Sequence, residues 1–87
     1  MKSITVKIID PIGLHARPAS KITNEASKYK SDIKILMDGK TANAKSLINL
    51  MALGVKKNNK IEIQAKGLDE TAAIEGIEKI LKSSKLI

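Results

Sequence analysis

Residues 33–43 read IKILMDGKTAN, and this stretch decides the class of fold. Over 33–37 apolar residues recur at every second position, which is the pattern of a strand with one buried face. Asp38-Gly39 then supplies the residue pair that favours a tight turn between two antiparallel strands. The stretch therefore predicts a β-hairpin, whose second and weaker strand covers 40–43.

The same alternation of apolar and polar residues appears near both ends of the chain, over 3–8 and 61–66. The first segment alternates Ile4, Val6 and Ile8 with Ser3, Thr5 and Lys7, and the second alternates Ile61, Ile63 and Ala65 with Glu62, Gln64 and Lys66. Each segment would place apolar side chains on one side of a sheet and polar side chains on the other. The sequence therefore predicts a sheet with one buried face and one wetter face.

Three stretches have the apolar spacing of amphipathic helices. The first runs over about 16–27, with Pro18 in its first turn, where a missing N–H costs nothing. The second is short, with Ser46 as a natural N-cap and Gly54 as a natural residue after its end. The third begins after Asp69, another N-cap residue type. The apolar stripes are Ala19, Ile22, Ala26 and Tyr29; Leu47, Leu50 and Met51; and Ala73, Ile74, Ile77, Ile80 and Leu81. Two i, i+4 charge pairs support the third helix: Glu75–Lys79 and Glu78–Lys82.

The predicted elements follow the order β-α-β-β-α-β-α. Helices with a single apolar stripe must cover the single apolar face of the sheet. The expected architecture is an α+β, two-layer sandwich with helices on one side and an open sheet face on the other. A chain of 87 residues has room for one core, so we expect a single domain over 1–87.

Composition narrows the classes of function. The chain has no cysteine, no apolar stretch that resembles a signal peptide or a membrane span, and a net charge of +7. We therefore expect a cytoplasmic protein that does not associate with membranes. Tyr29 is the single aromatic residue of the chain, so stacking on the bases of a nucleic acid has little support, and the lysines are scattered along the sequence. The basic charge therefore favours acidic protein partners over nucleic acid.

His15 is the single histidine and lies where a strand gives way to a helix. Asp10-Pro11 ends the strand, and the first helix opens immediately after His15, so the histidine should lie at a helix N-terminus. Unpaired N–H groups and the helix dipole favour phosphate at such a place. Arg17 adds a planar cation suited to phosphate oxygens. This local pattern suggests a phosphoryl acceptor, but a histidine that only caps the helix would fit it equally well.

Other chemistries find little support in the sequence. A metal site would need more ligands than one histidine and the carboxylate of Asp10, so no metal or cofactor is expected. No Gly-x-Ser-x-Gly elbow of a serine hydrolase is present. Gly39-Lys40-Thr41 resembles the end of a phosphate-binding Walker loop, but Lys34 stands where that loop needs its first glycine.

The short second helix carries two candidate features. Ser46 has an ordinary role as an N-cap, and a phosphate added there would lie at the positive end of the helix while placing a dianion on the surface. Leu47, Ile48 and Met51 cannot all be buried by so short a helix, so some of them could form an apolar patch for a partner. Packing in the core remains an alternative for Leu47 and Met51.

Two motifs resemble the HPr family, the histidine-containing phosphocarrier proteins. Residues 13–20, GLHARPAS, resemble the active-site signature of that family, and 45–54, KSLINLMALG, resemble its regulatory-serine helix. The order of strands and helices agrees along the whole chain. The resemblance implies an open-faced β-sandwich, in which three helices cover a four-stranded antiparallel sheet.

The resemblance also implies a function. Enzyme I, phosphorylated by phosphoenolpyruvate, would pass a phosphoryl group to Nδ1 of His15, with Arg17 as its electrostatic partner. His15 would pass the group to a sugar-specific enzyme IIA. Ser46 matches the serine that an ATP-dependent HPr kinase/phosphorylase phosphorylates in this family. Phosphorylation of Ser46 would slow phosphotransfer and signal to a catabolite-control regulator. Such a carrier would transfer phosphoryl groups without turning over substrate alone, as a monomer.

The expected partner surface comprises Ala16, Ala19, Ser20, Lys21, Leu47, Ile48 and Met51, with Lys45 adding to the basic charge. Ile12, Asn24 and Asn49 depart from residues that are common in the family at these positions. A purely regulatory binding module controlled at Ser46 is an alternative that needs no chemistry at His15. A small nucleic-acid binder is a second alternative, which predicts salt-sensitive affinity for DNA or RNA.

Overall fold

The four strands and three helices occur in the predicted order in a computed structural model that describes residues 1–87. The strands are β1 (Lys2–Lys7), β2 (Asp32–Met37), β3 (Lys40–Asn43) and β4 (Lys60–Lys66). The helices are α1 (Ala16–Ala26), α2 (Leu47–Ala52) and α3 (Glu70–Ser83). These bounds agree closely with the apolar patterns, except that Ile8 lies beyond the end of β1 while still buried in the core.

The sheet has the strand order β1-β4-β2-β3, and every neighbouring pair is antiparallel. β2 and β3 form the hairpin expected from the sequence, with Met37 opposite Lys40. Both residues of the connecting turn have positive φ, 49° at Asp38 and 79° at Gly39, as a two-residue turn of this kind requires. β4 lies in the centre of the sheet and joins the hairpin to the N-terminal strand.

All three helices cover one face of the sheet, and the apolar residues between the two layers form one core of 21 buried residues. The largest fully buried side chains from the sheet are Ile33, Ile35, Ile61 and Ile63. From the helical layer they meet Ile22, Leu50, Ile77 and Leu81. The fold is therefore the α+β open-faced sandwich that the sequence predicts. None of the three helices is both long and apolar enough to cross a lipid bilayer.

Two details of α3 differ from the predictions. Asp69 occupies the N-cap position but makes no capping hydrogen bond with its side chain. Its carboxylate instead accepts hydrogen bonds from the backbone N–H groups of Lys30 and Ser31, both 2.9 Å, and from the Ser31 hydroxyl. The Ser31 hydroxyl, followed by the backbone N–H of Lys30, lowers the pKa of Asp69 to about 2. The carboxylate thus ties the start of α3 to the segment that leads into β2.

Of the two predicted charge pairs on α3, one forms. Lys82 Nζ lies 3.4 Å from Glu78 Oε2, whereas Glu75 and Lys79 do not approach each other within the distance of an ion pair. Both residues of the second pair are exposed, so water competes for their charges and little free energy favours a fixed geometry.

Candidate functional site

The loop that carries His15 is held in place by its own backbone. The N–H of Ile12 donates to Asp10 Oδ1 at 2.8 Å, and the N–H of Gly13 donates to the Asp10 carbonyl at 3.0 Å. Leu14, which is buried, donates its N–H to the Val55 carbonyl at 3.0 Å. These bonds fix the residues just before His15 without using any atom of its ring.

Gly13 allows the loop to lie directly against the segment that follows α2. Its φ is +81°, which favours glycine, and a Cβ at this position would lie 2.4 Å from the Val55 carbonyl oxygen and 2.8 Å from Lys56 Cα. Both of these atoms belong to backbone, which cannot rotate away as a side chain can. The position therefore requires glycine for two separate reasons, its φ and its packing.

His15 is the N-cap residue of α1, in extended conformation with φ −99° and ψ −176°. Its carbonyl accepts the first hydrogen bond of the helix, from the N–H of Ala19 at 3.0 Å. Its side chain makes no capping hydrogen bond, and the residue is half-buried. The imidazole is therefore not occupied by a structural role as a helix cap, and it stays available to an external group.

The imidazole lines a shallow cleft of about 120 Å³ on the surface. The cleft is lined by Asp10, His15, Arg17, Pro18, Lys21 and Ser84. Arg17 and Lys21 are both exposed, and neither is within ion-pair distance of a carboxylate. Two free cations therefore lie beside a nucleophilic ring at the start of a helix, an arrangement that suits a phosphate dianion.

The sequence does not predict that Asp10 and Ser84 line this cleft. The sequence indicates Asp10 only as a carboxylate near His15, and the structure shows it as the acidic residue of the cleft. Ser84 follows the end of α3 and reaches the cleft because α3 packs beside α1. No motif in the sequence could have indicated Ser84, since its proximity to His15 depends on how the two helices pack. No cluster of side chains suited to a metal ion is present.

A larger cavity, of about 330 Å³, lies away from His15. It is lined by Lys40, Thr41, Asn49, Ala52 and Leu53, between the hairpin and α2. Neither His15 nor Ser46 contributes to it, so volume alone does not identify the chemistry of this protein.

Ser46 is the N-cap of α2, as predicted. Its Oγ accepts a hydrogen bond from the N–H of Asn49 at 3.3 Å, and its carbonyl accepts one from the N–H of Leu50 at 3.1 Å. The side chain is half-buried. Its structural role is therefore established, and a role as a phosphorylation site would be additional to it.

The residues expected to face partners differ in exposure. On α2, Ile48 is 80% exposed and Met51 is 46% exposed, whereas Leu47 is half-buried and packs against the core. On α1, Ala16 and Lys21 are exposed and Ser20 is half-buried.

One of the expected partner residues is corrected by the structure. Ala19 is fully buried, because it lies on the inner side of α1, so its side chain belongs to the core and not to a docking surface. Lys45 donates from Nζ to the Tyr29 carbonyl at 2.7 Å, which fixes the position of its ammonium group without neutralising its charge.

Comparison with known proteins shows which family the sequence resembles. The sequence pattern of PTS-HPr, described as the PTS HPr component phosphorylation site, matches residues 2–83. Phosphocarrier protein HPr of Mycoplasma pneumoniae is 48% identical over 88 aligned residues, which cover all of both chains.

Solved structures agree with the sequence relatives. A mycoplasma structure described as the histidine-containing phosphocarrier protein is 42% identical, with a TM-score of 0.98 over 99% of this chain and 98% of that chain. The structure of an HPr dimer from Thermoanaerobacter tengcongensis is 40% identical, with a TM-score of 0.77 over 98% of both chains.

Proposed function

The chain belongs to the HPr family of phosphocarrier proteins, and from this premise we propose that His15 accepts a phosphoryl group from phosphorylated enzyme I and passes it to a sugar-specific enzyme IIA. One observation carries the proposal. The imidazole of His15 makes no structural hydrogen bond and shares a surface cleft with two unpaired cations at the start of α1.

The chemistry of each transfer is a displacement at phosphorus. The unprotonated Nδ1 of His15 attacks the phosphoryl group, and an N–P bond forms as the bond between phosphorus and the donor breaks. The electron pair of the broken bond stays on the donor, and the other ring nitrogen of His15 keeps its proton. The onward step repeats this exchange with the acceptor protein as nucleophile. The protein turns over only between a donor and an acceptor, so it acts as a carrier and not as an enzyme alone.

Arg17 and Lys21 have separate roles in this proposal. The planar guanidinium of Arg17 can form paired hydrogen bonds with two phosphoryl oxygens, which would hold the group in line for transfer. Lys21 lies one turn further along α1 and contributes positive charge to the same cleft. Their charge also favours encounter with acidic partner surfaces, in a manner that weakens as salt rises.

The exposed apolar side chains of α2 supply the second half of the proposed partner surface. Ile48 and Met51 are the most exposed of these, and α2 packs against α1, which begins at His15. A partner that covers Ile48 and Met51 would bury apolar surface while its acidic groups approach the cleft. We therefore assign docking to both helices and chemistry to the start of α1.

Ser46 is the proposed regulatory site, phosphorylated by an HPr kinase/phosphorylase. A phosphate on Ser46 would add about 1.5 to 2 negative charges beside the docking residues of α2 and would repel an acidic partner. Ser46→Asp is expected to raise the KM for transfer from enzyme I, and Ser46→Ala is expected to leave transfer near the wild-type rate. Equal transfer by the two variants would contradict control at this residue. When phosphorylated, Ser46 would serve recognition by a catabolite-control regulator.

We further propose that residues 1–87 act as one domain and as a cytoplasmic monomer. All buried apolar residues belong to a single cluster, and α2 exposes only two large apolar side chains, Ile48 and Met51. Size-exclusion chromatography with light scattering should give a mass near 9.4 kDa at micromolar concentration. A mass near twice that value would indicate a dimer and would overturn the proposal of a monomer.

The decisive test is mass spectrometry after incubation with phosphoenolpyruvate and a bacterial enzyme I. Wild-type protein should gain one phosphate that is labile in acid and stable in alkali, and His15→Ala should gain none. Circular dichroism should show the same helix content for both proteins, because the His15 ring makes no hydrogen bond within the fold. A phosphate retained in His15→Ala, or none on wild type when enzyme I is active on another carrier, would refute the proposal.

A further inference from the structure

The cleft around His15 contains one acidic side chain, and the proposed transfer of phosphate does not explain it. Asp10 lines the cleft together with His15, Arg17 and Lys21. No lysine or arginine nitrogen lies within ion-pair distance of the Asp10 carboxylate, so its negative charge is not neutralised by a direct contact. A phosphate site would normally gain nothing from an unpaired carboxylate at its edge.

The position of this carboxylate is fixed. Its Oδ1 accepts the N–H of Ile12 at 2.8 Å, and the carbonyl of the same residue accepts the N–H of Gly13 at 3.0 Å. Asp10 is half-buried, so the side chain does not swing freely into solvent. The carboxyl group is therefore held at the edge of the cleft.

A phosphoryl group on His15 would place a phosphate with about 1.5 to 2 negative charges in the same cleft, and the positive charge that the new N–P bond leaves on the ring would offset part of it. The cleft is small, about 120 Å³, so a phosphate within it would share the cleft with Asp10. Repulsion would then raise the free energy of the phosphorylated form relative to the free form. Arg17 and Lys21 would attract the phosphate at the same time, so the net balance of charges would set how tightly the group is held.

From this arrangement, and resting on the proposed function, we infer that Asp10 raises the phosphoryl-transfer potential of the phosphohistidine at His15. Asp10 is a positioning residue through its loop bonds and an electrostatic regulator through its charge. It makes the phosphoryl group easier to pass on, at the expense of a less complete loading. A carrier benefits from such a balance because it must both accept and release the same group.

The size of the effect follows from the charges. For an assumed separation of about 7 Å and an effective dielectric constant of roughly 60 to 80, a carboxylate and a phosphate whose charge is partly offset by the ring repel enough to shift an equilibrium about threefold to tenfold. The shift should shrink as ionic strength rises, because the cleft is open to solvent and its charges are screened.

Three variants separate charge from structure. Asp10→Asn removes the charge and keeps an oxygen that can accept the Ile12 N–H, whereas Asp10→Ala removes both. Asp32→Asn is the matched control, because Asp32 is an exposed carboxylate at the start of β2 and does not line the cleft. All three should be checked for folding by circular dichroism.

The experiment is a competition for one phosphoryl group. Wild-type protein labelled with nitrogen-15 and an unlabelled variant are mixed in equal amounts with a limiting supply of phosphoenolpyruvate and catalytic enzyme I. Mass spectrometry at equilibrium gives the phosphorylated fraction of each protein directly. At low salt, Asp10→Asn and Asp10→Ala should each be favoured about threefold to tenfold over wild type, and Asp32→Asn by less than twofold.

Each remaining outcome contradicts the inference in a recognisable way. Equal partition between Asp10→Asn and wild type would overturn it. A shift in Asp10→Ala without one in Asp10→Asn would assign the effect to loop geometry and would overturn the role of charge. If wild type and variants all stay unphosphorylated while enzyme I phosphorylates itself, the proposed function fails, and the inference fails with it.

Discussion

Gly13→Ala tests the link between backbone packing and the position of His15. An alanine here would have to adopt φ +81° and would place its Cβ 2.4 Å from the Val55 carbonyl oxygen. Real Cβ atoms do not approach an oxygen this closely, so the loop or the segment at 55–56 must move by roughly 0.5 Å or more. This movement would first disrupt the hydrogen bond from the Leu14 N–H to the same carbonyl, which is 3.0 Å long.

The expected loss in the free energy of unfolding is the sum of three contributions. A left-handed conformation costs an alanine about 1–2 kcal/mol relative to glycine. Loss of a buried backbone hydrogen bond adds about 1 kcal/mol, and forcing atoms apart in a packed region adds about 1–3 kcal/mol. Gly13→Ala should therefore lower the free energy of unfolding by about 3–6 kcal/mol, a large share of the stability of a domain this small.

Gly54→Ala is the matched control for this change. Gly54 has a similar φ of +73°, but a Cβ there would meet no atom within 4 Å. Its cost should be the conformational part alone, about 1–2 kcal/mol. The difference between the two variants isolates the contact with the backbone at 55–56.

Urea denaturation followed by circular dichroism gives both free energies, and phosphorylation by enzyme I gives the functional readout. Gly13→Ala should also accept phosphate more slowly than Gly54→Ala, because displacement of the loop moves His15 relative to the cations of its cleft. If the two variants lose equal stability, within about 0.5 kcal/mol, the contact at Gly13 contributes nothing and the reasoning is refuted.

Three further predictions concern acid stability, the core and the docking surface. Because hydrogen bonds lower the pKa of Asp69 to about 2, its ionised form stabilises the fold above about pH 4, the ordinary range of an aspartate, and this contribution disappears as the pH falls towards 2. Asp69→Asn should therefore melt with a flatter pH dependence between pH 4 and pH 2; an unchanged profile would contradict this. Leu50→Ala removes a fully buried side chain and should cost about 2–5 kcal/mol in urea unfolding, and a loss below about 1 kcal/mol would show that the core closes over the gap. Ile48→Ser changes a residue that is 80% exposed, so unfolding should shift by less than about 0.5 kcal/mol while the KM for transfer from enzyme I rises several-fold; an unaltered KM would exclude Ile48 from docking.

The strands and helices could be predicted because their signals are local. Alternation over 33–37 and the Asp38-Gly39 turn are sufficient to predict the hairpin, in which the structure places Met37 opposite Lys40. Strand order could not be predicted in the same way. Alternation shows which face of a strand is buried, but it carries no information about which strand lies beside it, and β1 pairs with β4 from the other end of the chain.

Asp69 is the N-cap residue of α3 as predicted, but the partners of its side chain could not be predicted, for a similar reason. The residue type and position are those of an N-cap, and nothing nearby in the sequence distinguishes it from one. The carboxylate instead accepts hydrogen bonds from the backbone N–H groups of Lys30 and Ser31, which lie far from it in the sequence. The prediction that Ala19 contacts partners is wrong for a different reason. It rests on the position of Ala19 within the active-site motif, whereas the apolar spacing of the helix indicates that Ala19 lies in the core.

Backbone bonds hold the loop of the site and leave the His15 side chain free, and this division explains how the proposed phosphoryl acceptor can lie at the surface of a stable fold. Loop bonds at Ile12, Gly13 and Leu14 hold the main chain, while the His15 ring contributes no hydrogen bond to the fold. A change of charge or of phosphorylation at the ring therefore need not disturb the core. It follows that substitutions of the His15 ring and substitutions of Gly13 should affect different properties, transfer alone in the first case and stability with transfer in the second.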